Sequence, residues 1–334
     1  MLYRKIGNTD IEASVIAIGT WVMGGWMWGG AQELESISAI HAAFDNGINF
    51  IDTAPVYGFG ISETVVGKAL KGRRDKIILA TKCGLRWDIE KGDFHFNSTA
   101  EGVTKDESDI KVYKYLGAES IVQEVEWSLK RLQTDYIDLY QTHWQDSTTP
   151  IDETMEALLK LKEQGKIRAI GVSNATVAQM KAYGAIDADQ EKFNMFHRGM
   201  ETAGNLAYCL EHNLAFLAYS PLALGLLTGK ISPERKFNPG DLRLTNPLFA
   251  QDNLRKVKRF SELLTPLTEE YKCTIGQLAS AWTFQHKGVT HLLCGARNAA
   301  QAIENAGAGD IHLAPSALKT IDEHFEKLFT KPHA

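Results

Sequence analysis

Short apolar runs alternate with amphipathic stretches along the whole of this 334-residue chain. Residues 14–19, 48–52, 77–82, 136–143, 167–172, 189–193, 214–219 and 290–294 read as strands, because each run is short and bounded by polar residues. Residues 34–46, 62–70, 119–132, 177–183, 203–212, 299–306 and 315–329 read as helices. So do a segment opened by Asp152 and closed by Gly165, and stretches within 253–271 and 275–285. Gly47 and Gly165 stand where a helix ends in a left-handed residue. Ahead of all this, residues 2–12 read as a hairpin with its turn at Gly7-Asn8-Thr9.

Eight strands, each followed by helix, predict a (β/α)8 TIM barrel with an N-terminal β-hairpin. A doubly wound parallel sheet is the runner-up. No linker or composition shift divides the chain, so residues 1–334 read as one domain. Residues 85–117 and 228–253 read as long irregular stretches. Both follow strand ends, and so both belong to the face where such folds build active sites.

Composition narrows the class. The chain is 44% apolar and 23% charged, with a net charge of −5. That suits a buried core, and the absence of a basic block argues against nucleic acid. No apolar run reaches the roughly 20 residues that span a bilayer. The N-terminus lacks the apolar segment of a secretory signal, so a cytoplasmic protein is expected. Cys83, Cys209, Cys273 and Cys294 show no paired or metal-type spacing. They read as reduced core fillers, with Cys294 singled out for oxidation sensitivity. No HExxH, Walker A, GxSxG or strand-following GxGxxG pattern occurs, so no metal is expected and a dinucleotide would need a non-Rossmann site.

Four polar residues then stand out: Asp52, Lys82 and His143 each end an apolar run, and Tyr57 lies five residues beyond Asp52. Strand ends of a parallel barrel share one face, so the four should converge. Tyr57 is suited to protonate a carbonyl oxygen. An ammonium at ~4 Å is worth about 4 kcal/mol at an effective dielectric near 20. Lys82 should therefore pull the phenol well below its ordinary value of about 10. Asp52 would hold Lys82 charged, and His143 would orient the oxygen. The set reads as carbonyl reduction, with hydride from a cofactor.

These segments resemble the aldo-keto reductases over essentially the whole chain. The similarity rests on Gly19-Thr20-Trp21, on Asp52-Thr53-Ala54-Pro55-Val56-Tyr57-Gly58 and on Leu79-Ala80-Thr81-Lys82. It continues through Asp135 to Trp144, which contain His143, and through Ile170-Gly171-Val172-Ser173-Asn174. The resemblance implies the barrel fold, a catalytic set of Asp52, Tyr57, Lys82 and His143, and a bound NADP(H), with NAD(H) as an alternative. Gly19, Thr20, Trp21 and Asp52 would border the cofactor. Ser173, Asn174 and Gln190 would hold the carboxamide, whose donor and acceptor suit such groups. Tyr219 would stack on the nicotinamide, and Ser220, Leu222, Gly225, Leu227 and Lys230 would line the pyrophosphate.

The segment from Cys294 to Asn305 resembles the family's adenosine-phosphate loop. It carries Gly295, Ala296 and Gln301 where the common form has lysine, serine and arginine. That is similar to the branch of bacterial general-stress aldehyde reductases and potassium-channel β subunits. Gly295 belongs to this loop, Arg297 and Gln301 would meet a 2′-phosphate, and Glu304 and Asn305 the adenine. Trp21, Trp28, Phe59 and Trp144, with Trp26 and Phe196, are candidates for an aromatic pocket, and residues 24–30 read as a flexible loop. A small aldehyde, ketone or polyol would fit such walls. Two rival classes remain: a cofactor-binding, redox-sensing β subunit of a larger complex, and an isomerase. Oligomeric state stays open.

Overall fold

The expected hairpin is β1 (Tyr3–Lys5) paired antiparallel with β2 (Glu12–Ser14). The structure, a computed structural model, describes residues 1–329, so residues 330–334 of the expected domain lie outside it. Then come β3 (Ile16–Gly19), α1 (Glu33–Asp45), β4 (Phe50–Asp52), α2 (Ile61–Leu70) and β5 (Ile78–Cys83). An inserted sheet follows: β6 (Leu85–Arg86), β7 (Asp93–Ser98), β8 (Val103–Thr104) and β9 (Ile110–Lys114). The alternation resumes with α3 (Ala118–Leu132), β10 (Ile137–Thr142), α4 (Ile151–Glu163), β11 (Ile167–Ser173), α5 (Val177–Tyr183) and β12 (Ala188–Lys192). Next are α6 (Gly199–Ala203), α7 (Asn205–His212) and β13 (Ala215–Tyr219). The chain continues with α8 (Gln251–Leu263), α9 (Thr265–Glu270), α10 (Ile275–Gln285), β14 (His291–Gly295), α11 (Ala299–Gly307) and α12 (Pro315–Phe329).

Strands β3, β4, β5, β10, β11, β12, β13 and β14 close into a parallel barrel in that order. This is the expected (β/α)8 fold. Two-residue periodicity sets its interior. One layer is apolar: Ala17, Phe50, Ala80, Leu139, Ala169, Ala188, Leu217 and Leu293, with Ile6 and Ile11 of the hairpin packed beneath. Two residues further along the strands the same inward face carries Asp52, Lys82, Gln141 and Gln190. Gly171 belongs to that level for a steric reason, since a Cβ there would lie 2.8 Å from Cγ of Gln141. Outward strand residues such as Ile16, Ile18, Ile51 and Leu79 pack with helix residues such as Val66, Ile121, Val125, Leu158 and Trp282 to form the larger core between barrel and helices. Burying each such side chain is worth about 1.5–3 kcal/mol.

Three expectations change. Residues 85–114 are not irregular: they form a four-stranded antiparallel sheet ordered β6-β9-β7-β8. Its strands escape a period-two reading because they are short and a register shift interrupts β7 between Phe94 and Phe96. Residues 24–30 are not a free loop. The Trp26 indole donates to Oγ of Ser98 at 2.9 Å, Met27 N–H to the Glu101 carbonyl at 2.7 Å, and Leu242 N–H to the Met27 carbonyl at 3.0 Å. The short helix α6 was not anticipated. Residues 228–250 are irregular apart from short 3-10 turns, as expected. No helix among the described residues is long and apolar enough to cross a membrane.

The hairpin turn supplies a stability test. Gly7 has φ +56°, and a Cβ there would overlap the carbonyl of Asp187 at the start of β12. Gly7→Ala should cost about 2 kcal/mol or more, read as a lowered midpoint in urea denaturation. An unchanged midpoint would mean the hairpin is not held against β12.

Candidate active site

Asp52 ends β4 and Lys82 is the penultimate residue of β5, and both point into the barrel. Lys82 has no exposed surface and Asp52 almost none. Lys82 Nζ lies 2.6 Å from Asp52 Oδ1, donates to the Thr53 carbonyl at 2.9 Å, and reaches Tyr57 Oη at 3.4 Å. Two amides occupy the other carboxylate oxygen: Gln190 Nε2 at 2.9 Å and Gln141 Nε2 at 3.2 Å from Asp52 Oδ2. His143 follows β10, its ring edge-on to Tyr57 at 5.6 Å. Neither His143 ring nitrogen has a partner among the described residues. The four expected residues therefore meet, with Lys82 behind Tyr57 and the other three on a cavity wall.

The electrostatics correct one expectation. Burial, reinforced by the negative charge of Asp52, raises the Tyr57 phenol well above its usual value. Lys82 does not reverse this, because its charge is already committed to Asp52. Burial lowers Lys82 itself, against the opposing pull of Asp52 and of the buried Glu63 carboxylate behind it. Burial, then the charge of Lys82, holds His143 well below the usual histidine value. The phenol is thus a protonated donor and His143 a neutral imidazole. Such a pair can hydrogen-bond a carbonyl oxygen, and Tyr57 can pass it a proton.

The cavity measures roughly 660 Å³. Gly19, Thr20, Trp21, Trp28, Trp144, Ser173, Asn174, Gln190, Tyr219, Ser220, Leu222, Gly225, Lys230, Gly295, Arg297, Gln301, Glu304 and Asn305 all border it. Trp26 does too. Phe59 does not: its φ of +52° sits in a turn that packs its ring on Trp26 and Trp87 at 5.6 and 5.4 Å. Leu227 is buried in the outer core, because left-handed Leu224 and Gly225 redirect the chain before it. Phe196 packs on Phe325 and Phe329, away from the cavity. Cys294 is buried beside the cavity, and burial pushes its thiol up to about 12, which disfavours the reactive thiolate. Gln141, His95, Arg235 and Arg243 were not anticipated. Gln141 was legible in principle, as the inward residue two places after Leu139.

The two ends of the cavity differ. At the β11–β12 end, Tyr219 Oη donates to Asn174 Oδ1 at 2.9 Å, and Asn174 Nδ2 donates to the His143 carbonyl at 3.0 Å. At the β14–α11 end stand Arg235, Arg243, Arg297 and Lys230, beside the N-terminus of α11. The buried indole N–H groups of Trp21 and Trp28 have no hydrogen-bond partner among the described residues. Amides at one end, cations at the other and orphaned donors between suit an anionic dinucleotide. No group of metal-ligating residues occurs among the described residues.

The chain matches the Aldo/keto reductase family over residues 15–326, and it belongs to that family. It is 42% identical to "Aldo-keto reductase YhdN" of Bacillus subtilis, over 90% of this chain and 86% of that one. It is 40% identical to "NADH-specific methylglyoxal reductase" of Escherichia coli, over 97% and 98%. Among solved structures, glycerol dehydrogenase AKR11B4 of Gluconobacter oxydans superposes with a TM-score of 0.86 at 37% identity, covering 99% and 97%.

Outward from β12, two further carboxyls brace the amide end. Glu191 Oε1 accepts from Ala175 N–H at 2.8 Å, and Asp189 Oδ2 accepts from Asn205 Nδ2 at 3.0 Å. Asn205 Nδ2 also donates to the Ala175 carbonyl at 2.8 Å. Burial raises both carboxyls, so the pair holds a proton that the unfolded chain would release. Stability from that proton is complete below the ordinary carboxyl value near 4 and is lost as pH rises through the raised values. The Tm should therefore fall between pH 5 and 9, and Glu191→Gln should flatten that slope by several degrees. Equal slopes in thermal melts of both proteins would show that the pair holds no such proton.

Proposed function

We propose that this protein is a nicotinamide-dependent oxidoreductase that interconverts small aldehydes or ketones and their alcohols. NADP(H) is the expected cofactor and NAD(H) the alternative. The observation that carries the reading is the buried chain Asp52–Lys82–Tyr57, facing a cavity shared with the neutral His143. A reduced nicotinamide, when held there, would supply the hydride. Tyr57 Oη gives its proton to the carbonyl oxygen, and Lys82 Nζ, 3.4 Å behind it, stabilises the phenolate left there. His143 donates its ring N–H to the same oxygen and fixes the approach. The aromatic walls exclude water and strengthen each of these contacts. The names of the Escherichia coli and Gluconobacter relatives, a methylglyoxal reductase and a glycerol dehydrogenase, support small oxygen-bearing substrates.

Asn174, Ser173 and Gln190 would hold the carboxamide. Gln190 does so with its amide nitrogen already anchored to Asp52, which ties cofactor position to the ion pair. Arg297 is the group best placed for a 2′-phosphate. One guanidinium nitrogen donates to the Trp28 carbonyl at 2.6 Å and lies 4.0 Å from Asp241 Oδ2, a looser pairing than that of Arg243 with the same carboxylate, and the other side-chain donors make no hydrogen bond among the described residues. Lys230 is paired with Glu304 and Arg243 with Asp241, so both are partly neutralised.

Tyr57→Phe should lower kcat for aldehyde reduction by about 10²–10⁴-fold, the usual worth of a placed general acid. Cofactor affinity, read by fluorescence titration, should stay near the wild-type value. Undiminished turnover would remove Tyr57 from the mechanism. Arg297→Ala should lower kcat/KM for NADPH by about 10- to 100-fold, as expected for a charged hydrogen bond, and hardly change that for NADH. An equal loss with both would mean that Arg297 does not read the phosphate.

A further inference from the structure

His95 has no role in the reading above, yet it borders the same cavity as Tyr57 and His143. Its position follows from an irregularity in β7. Phe94 opposes Tyr113 and Phe96 opposes Val112, so His95 is the extra residue without a partner across the strand pair. Bulges of this kind turn a side chain out of its alternating place. Here the bulge lets both His95 and Phe96 face the cavity. The imidazole is held between two rings, Phe96 at 4.9 Å and Trp144 at 5.1 Å between centroids. Neither ring nitrogen has a hydrogen-bond partner among the described residues.

The segments that carry the two imidazoles are tied together. Asp93, two residues before His95, accepts from both the N–H and the Oγ of Ser147, each at 2.8 Å. Ser147 lies on the segment that leaves His143 and Trp144. At the other end of β7, the Trp26 indole donates to Ser98. Burial and then the charge of Lys114 lower His95, leaving a neutral ring with one donor and one acceptor. That combination matches a hydroxyl or a second carbonyl. An alkyl chain lying there would strip the ring of water and offer nothing in return.

We propose that His95 is the specificity-determining residue of this cavity. It hydrogen-bonds a second oxygen, on the carbon next to the reacting carbonyl. The preferred substrates are therefore small α-hydroxycarbonyl or 1,2-dicarbonyl compounds, with vicinal diols or hydroxyketones as products. This rests on the oxidoreductase reading, in which the reacting oxygen sits between Tyr57 and His143.

Hydroxyacetone and butanone make a matched pair, since they differ only in a hydroxyl against a methyl. Steady-state kcat/KM should be measured for both, with NADPH and NADH, in the wild type and in His95→Phe, His95→Ala and His95→Asn. The Phe and Ala variants should lose about 10-fold or more on hydroxyacetone, the worth of a hydrogen bond whose partner is left unpaired. They should change little on butanone, with the loss mainly in KM. His95→Asn, which keeps a donor and an acceptor, should recover most of the difference. Equal losses on both ketones would make His95 a packing residue and overturn the proposal, as would an unaltered preference. A wild type that turns over butanone as well as hydroxyacetone overturns it while leaving the oxidoreductase reading intact. A wild type that binds cofactor but reduces no carbonyl removes both.

Discussion

An ammonium group with no exposed surface is the constraint around which the upper half of this barrel is built. Lys82 can remain charged there only because Asp52 lies 2.6 Å away and the Thr53 carbonyl takes a second of its hydrogens. Removing one partner of a buried pair typically costs about 3–5 kcal/mol, because it leaves the other charge uncompensated. The rest of the polar layer serves the pair. Gln141 and Gln190 occupy the second oxygen of Asp52, and Gln190 also donates to Gln141 Oε1 at 3.1 Å. Gly171 lacks a side chain so that Gln141 has room. Behind β5, Glu63 adds a second negative charge, itself held by Thr81 and Arg131 at 2.6 Å each.

That commitment changes how the tyrosine is understood. Taken alone, a lysine at hydrogen-bond distance should acidify a phenol strongly. Inside the barrel, Tyr57 meets an ion pair rather than a free cation, and the loss of water dominates. The phenol stays protonated, which is the state a carbonyl acceptor requires. In the proposed reduction, the contribution of Lys82 would fall on the charge that appears as the proton leaves, not on the resting acid. Such preorganised stabilisation is effective because the group has nothing to rearrange when the charge develops.

The barrel and the four polar residues were legible because they depend on simple periodicity. Strand ends fall where apolar runs stop, and inward positions repeat every two residues. What escaped reading depends on breaks in that period. His95 faces the cavity through a register shift that no pattern of residue types announces. Phe59 and Leu227 were placed on the cavity wall because they neighbour residues that are there. Left-handed backbone at Phe59, and at Leu224 and Gly225 before Leu227, turns them elsewhere. The inserted sheet was read as loop because Asp, Lys and Ser interleave its short strands. The flexible reading of residues 24–30 failed for another reason: four glycines suggest freedom, but long-range hydrogen bonds to residues 98, 101 and 242 remove it.

The amide end of the cavity is where strain and support meet. Asn174, Ser220, Ala223 and Leu224 all adopt left-handed backbone, which costs non-glycine residues of order 1 kcal/mol or more each. Such conformations persist only where the surroundings over-determine them. Asn174 is fixed by Tyr219, by the His143 carbonyl and by Ser173, whose hydroxyl it reaches at 3.1 Å. Ser220 is fixed by Asn194, whose amide donates to its carbonyl at 2.8 Å. Beneath them, Glu191 and Asn205 grip Ala175 from both sides. Because Asn174 also touches the backbone of His143, the group suited to a carboxamide and the group suited to a carbonyl oxygen share one rigid frame. A displacement of either would be transmitted to the other, so binding and chemistry at this barrel mouth are geometrically coupled.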